Sequence, residues 1–215
     1  MKIFYKPDEA FKEIKEKKPL GVPILILIVI SLIISFLYIQ FVVLPNKEAI
    51  LMARDVPQEA MQKALEFIGS PLYYVSILLA GIIGFIAATL IIGFIYYLVS
   101  TILKGKSDFM AFWSSTVHIY AINILGSIIA LPIAIAKGSP KVNLDFSLFF
   151  MFLSEKNFLR IFLEHAGFFT LWAVFLYGLA LHHIGEMEKK KGIITSFILW
   201  FIYALIATVI GVIKG

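Results

Sequence analysis

The chain has 215 residues, of which 60% are hydrophobic and only 15% charged, against about 45–50% and about 25% in an ordinary soluble domain. With a mean hydropathy of +0.94, that balance excludes a water-soluble globular protein, and 20 Phe, 9 Tyr and 3 Trp exclude a disordered one. There is no cysteine, hence no disulfide, thiolate metal site or cysteine nucleophile. A net charge of +5 belongs, in such a chain, to contact with an anionic lipid surface and not to nucleic acid.

The N-terminal segment, residues 1–19, carries six lysines. Lys6-Pro7-Asp8-Glu9 opens a short helix with acid in its first turn, and Glu13 with Lys17 forms an i,i+4 pair. Phe11 and Ile14 share a face ringed by lysines, so the segment either lies on the membrane surface or is a solvated positive flank. The first span, about 20–44, is too long for the roughly 7–15-residue apolar core of a signal peptide. It is expected to stay in the mature protein.

Between spans, Asp55 and Pro57 begin a helix on which Ala60, Met61, Ala64, Leu65 and Ile68 recur at helical spacing. It ends at Gly69, and Ser70-Pro71 supplies the cap and first residue of the second span, about 71–103. On that span Ser76, Ala80, Gly84 and Ala88 form a small-residue ladder suited to close helix packing. Gly93 lies off the ladder and marks a candidate bend.

The third span, about 109–136, carries Thr116, Tyr120, Asn123 and Ser127 on one stripe, which is expected to face the bundle interior because Asn123 is costly in lipid. Interhelical hydrogen bonding or a hydrated groove including His118 are its two uses. Ser31, Ser35 and Tyr38 make a similar stripe on the first span. His118 is expected to bond Ser114 or a neighbouring helix. Residues 144–153 are rich in Phe but too few to cross, so they are expected to form an interfacial or re-entrant helix. The fourth span is drawn as one helix, about 161–184, and the fifth as 192–213.

The fold class expected is therefore all-α: a polytopic bundle of five transmembrane helices, residues 20–215, with short amphipathic interfacial helices. Eleven of the 19 Lys+Arg fall on the side of residues 1–19, 104–108 and 182–191, in the shorter loops. By the positive-inside rule that side is cytoplasmic and Gly215 lies outside. The cell membrane is the expected location.

Chemistry is sparse. His165 and His182 are 17 residues apart, about 25 Å along a helix, so no ion sees both. The one local set, His182, His183 and Glu186, lacks the i,i+4 histidine pair of a zinc-protease helix; capping of the helix end is the simpler use. No Asp, Glu, Lys or Arg occupies the middle of a span, and no P-loop, GxSxG or HExxH occurs. No metal, cofactor or catalytic residue is expected.

Three blocks carry a family resemblance. They are Lys6-Pro7-Asp8-Glu9-Ala10-Phe11 with Pro19; the junction from Tyr97 through Lys104-Gly105-Lys106-Ser107-Asp108 to Phe109; and Leu171-Trp172 through Gly178 to Lys189-Lys190-Lys191-Gly192. The chain resembles the Yip (Ypt-interacting protein) family, in its prokaryotic five-span branch. The resemblance implies a five-span fold, a cytoplasmic N-terminus and a non-enzymatic role, organising membrane or partner proteins in trafficking or homeostasis. Eukaryotic relatives are tied to vesicle traffic and to prenylated Rab-type GTPases, but the long cytosolic region of many of them is here about 19 residues, so that partner is not carried over. Expected partners are membrane lipids, anionic headgroups at the cytoplasmic face, and membrane proteins or a second copy of the chain. The alternative is a small-solute or lipid permease or channel lined by the third-span stripe.

Overall fold

The computed structural model describes residues 2–52, 56–106, 108–139, 142 and 144–214. Asp55, Ser107 and Gly215, on which the cap, hinge and terminus expectations bear, lie outside the described residues. The helices are α1 (Pro7–Lys17), α2 (Gly21–Tyr38, continued by a π-helical turn Ile39–Val43), α3 (Lys47–Met52), α4 (Gln58–Phe67), α5 (Pro71–Ile102), α6 (Phe109–Lys137), α7 (Phe158–Glu164), α8 (Phe168–His183) and α9 (Lys189–Lys214).

Among the described residues four helices, Gly21–Val43, α5, α6 and α9, are long and apolar enough to cross a membrane. The fourth expected span is not one helix. Residues 165–167 interrupt it, because the Gly167 backbone forms a bridge with Asp145 and Ala166 accepts from the Phe146 amide at 3.0 Å. A chain that pairs sideways there cannot also continue the i→i−4 ladder. α8 therefore keeps 16 residues, about 24 Å of rise, short of a hydrocarbon core of roughly 30 Å.

The same pairing changes the Phe-rich segment. In place of an amphipathic α-helix there is a 3-10 turn, Phe146–Phe150, whose Asp145 carboxylate accepts from the Ser147 amide at 3.0 Å. Other boundaries follow local chemistry. The Ser70 hydroxyl accepts from the Tyr73 amide at 3.2 Å, just ahead of Pro71, as the cap reading predicts. α1 starts on Pro7 with Asp8 and Glu9 in its first turn and stops at Lys18, whose φ of 48° is left-handed, before Pro19.

Contacts divide the chain into two units. The first is Met1–Ile24, Ala88–Gly126 and Asn143–Gly215. Its core is built on α8, with Leu176, Leu179, Ala180 and Leu181 almost wholly buried. A Cβ on Gly178 would sit 2.6 Å from the Ile193 Cα, and one on Gly192 would sit 2.7 Å from the Gly178 carbonyl oxygen. α8 and α9 thus touch backbone to backbone. Gly93 marks a second close approach, 2.9 Å from a Cβ placed there to the Trp113 Cα, which makes it a packing site within α5.

The second unit is Leu25–Ala87 and Ser127–Val142. It holds most of the small-residue ladder, of which Ser76, Ala80 and Gly84 are exposed, with no described atom within 4 Å of a Cβ at Gly84. Ala88, in the first unit, is half-buried.

These contacts make opposite demands on the same substitution. Gly178→Ala is expected to lower thermal stability in detergent by about 1–3 kcal/mol through overpacking, whereas Gly84→Ala is expected to leave it unchanged or raise it by up to about 1 kcal/mol. Paired melting curves followed by size-exclusion recovery check both.

Candidate functional site

α1 is amphipathic, and its apolar face is turned onto protein, not onto lipid or water. Phe11 and Ile14 are buried together with Ile3 and Ala10 in the α8-centred core, and the Phe11 ring lies parallel to the His183 ring at 6.3 Å. The apolar face drawn as a lipid contact is therefore occupied by protein, while Lys12 on the same helix stays exposed. At its end, the Ser114 hydroxyl on α6 donates to the Pro19 carbonyl at 2.8 Å.

Around this apolar contact runs a ring of ion pairs between segments far apart in sequence. His183 Nε2 donates to Asp8 Oδ1 at 2.7 Å, and Lys189 reaches the same oxygen at 3.4 Å. Glu186 receives Lys15 at 2.6 Å and Lys106 at 2.9 Å. Lys18 pairs with Asp108, which also caps α6 through the Ala111 amide. On α1 itself Glu13 accepts from Lys2 and from Lys17, the expected i,i+4 partner.

The carboxylates are held in the charged form. The hydrogen bond from His183, aided by Lys189, keeps Asp8 below its ordinary value. Lys18 does the same for Asp108. The Lys15 and Lys106 ammonium groups bring Glu186 down to about 2, and the Glu186 carboxylate raises Lys106 in return.

The set His182, His183 and Glu186 is not assembled as a ligand cluster. His182 Nδ1 donates to the Met187 carbonyl at 2.7 Å, His183 is engaged by Asp8, and Glu186 by two lysines. Among the described residues no group of three His or acidic side chains is placed to hold a metal ion.

Deeper in the same unit, His118 Nδ1 donates to the Ser114 carbonyl at 2.7 Å, the partner expected of it. The third-span stripe does not share one environment. Thr116 is buried and bonded to the Phe112 carbonyl, Tyr120 is half-buried, and Asn123 and Ser127 are exposed. At 100° per residue the four positions stay within about 60° of one another around the axis, so the difference is one of level along α6, from buried at Thr116 to exposed at Asn123 and Ser127. Instead, the polar contact inside the apolar core is one that periodicity gave no reason to single out. Tyr96 and Tyr177 stack at 4.4 Å, the Tyr96 and Ser196 hydroxyls are 3.0 Å apart, and Ser196 donates to the Val174 carbonyl at 2.6 Å.

Together these features define a multi-pass integral membrane protein with a docked N-terminal helix and an ion-paired end, and no assembled catalytic group among the described residues. Residues 1–211 match the Yip1 domain, and the chain belongs to that family. The Yip1 family is generally non-catalytic. Comparison with curated proteins and with solved structures finds no match.

Because the folded carboxylates lie below their ordinary values, the docking energy they contribute is complete above those values and is lost as pH falls through the folded ones. The protection factors of amides in residues 7–17, with the intrinsic pH dependence of exchange divided out, are therefore expected to be high at pH 7 and to fall as pH drops from 4.5 toward about 2. In Glu186→Gln part of that acid dependence is expected to disappear.

Proposed function

We propose that this protein is a non-catalytic membrane organiser, acting in trafficking or homeostasis, whose N-terminal side faces the cytoplasm and gathers anionic lipid headgroups. The observation that carries the reading is the charge left over at the ion-paired end. Lys12, Lys104, Lys190 and Lys191 are exposed and, among the described residues, have no acidic partner within 4 Å. Lysines near an anionic leaflet contribute about 1 kcal/mol each, so four of them form a cooperative headgroup contact while their neighbours hold the fold. Saturation at lipid-to-protein ratios of a few to one, read by mass spectrometry of protein in nanodiscs of mixed phosphatidylcholine and phosphatidylglycerol, is the expected result. Replacing all four lysines by Gln is expected to remove that enrichment without lowering thermal stability. Equal retention of both lipids by wild type and variant overturns the proposal, as does saturable solute transport by reconstituted protein.

A further inference from the structure

The second unit contains a cavity of about 630 Å³, within the roughly 300–1,000 Å³ of small-molecule sites. Its walls come from the end of α2, the start of α5 and the latter half of α6, and it is covered by α3 and α4 through Ile50, Leu51, Ala64, Phe67 and Ile68. Among the described residues no charged side chain lines it. The space is partly open, and its largely apolar walls give water few partners.

Two further observations single out this wall. Where α2 borders the cavity it widens into the π-helical turn Ile39–Val43, with the Leu44 amide bonded to the Ile39 carbonyl at 2.9 Å, and both Ile39 and Val43 are lining residues. Such turns are rare and concentrate at functional sites. On α3, Lys47 lies three and four residues before the lining pair Ile50 and Leu51, hence on their side of the helix. Its ammonium reaches α4 and donates to the Leu65 carbonyl at 3.2 Å, next in sequence to the lining residue Ala64. A cation thus stands beside a chamber with no charged side chain among its described lining residues.

We propose that this cavity holds an acyl chain of an anionic bilayer lipid, with the headgroup phosphate at Lys47. Three of the elements forming its walls are membrane-crossing helices, so lipid is the solvent at hand. The lining is mostly apolar, with the Ser35, Tyr38, Tyr73 and Ser127 hydroxyls as its polar groups, which suits a hydrocarbon chain better than an ion, and the flanking ammonium favours an anionic head. A smaller apolar slot on the same unit, bordered by Ile28, Leu32 and Phe85 and sharing Ser35 with the cavity, extends the path along α2. This site is independent of the headgroup contact proposed for Lys12, Lys104, Lys190 and Lys191.

The test uses the full-length protein in detergent, delipidated and titrated with phosphatidylglycerol or phosphatidylcholine, with bound lipid counted by native mass spectrometry. One tightly held phosphatidylglycerol is expected, surviving in the variant lacking those four lysines. Ala134→Trp and Ala130→Trp, which fill the cavity from α6, are each expected to weaken it about tenfold or more, a loss equivalent to about 1.4 kcal/mol. Lys47→Gln is expected to keep the lipid but lose the preference for phosphatidylglycerol. Thermal melting identifies which cavity variants remain folded, and Ile50→Phe on α3 serves as an additional filling variant. Folded wild type that retains no lipid, or folded cavity-filling variants that bind as wild type does, overturn the proposal.

Discussion

The first unit depends on one contact, the backbone approach of α8 and α9 at Gly178 and Gly192, where any Cβ would fall inside van der Waals distance of the opposite chain. Lipid tails are as apolar as leucine, so helices in a bilayer gain little by hiding apolar side chains from them and associate through close packing instead. This approach makes α8 the buried centre of its unit, with Leu176, Leu179 and Leu181 shielded from lipid. A helix so enclosed meets no requirement to match the bilayer by itself. Its short length follows from the bridge at Gly167 on one side and the turn at Gly185-Glu186 on the other.

That turn is where the N-terminal segment docks, and the division of labour there follows from magnitudes. The ion pairs are largely exposed, and exposed pairs contribute about 0–1 kcal/mol each. Full burial of a Phe or Ile side chain contributes about 1.5–3 kcal/mol. Phe11 and Ile14 therefore supply the attachment, while Asp8, Glu186 and Asp108 set its register by pairing with particular cations on α9, α1 and the α5–α6 connection. Much of the basic charge is spent internally, and a smaller, better defined group of lysines remains to meet lipid.

The second unit is organised on another principle. Its small-residue ladder is exposed, its core is interrupted by a cavity, and its α2 helix departs from regular winding beside that cavity. Loose packing next to an irregular helix is a poor source of stability but a suitable receptacle for hydrocarbon. The two units thus divide into one consolidated by glycine contacts and ion pairs and one with room for an apolar guest.

Membrane residence, the all-α class and four long apolar helices were legible from composition and run length, because hydrocarbon requires every backbone polar group to be satisfied within the helix. Local caps were legible as well: Ser70 ahead of Pro71, acid in the first turn of α1, and the His118 bond to Ser114 all involve residues within about one helical turn. What lay beyond the reach of sequence was every choice between partners. The pairing of Asp8 with His183 spans 175 positions, and charge on either residue was equally compatible with solvent, lipid or metal. Among the glycines, periodicity favoured the ladder at Gly84, while packing selected Gly93, Gly178 and Gly192, since close approach depends on which helix lies opposite. The break at residues 165–167 arose from a backbone partner some twenty residues away, invisible to hydropathy. Sequence by itself determined where the chain must avoid water, because that is a property of each segment and its solvent; only the tertiary structure decided which segments replace lipid or water around one another, because that is a property of pairs.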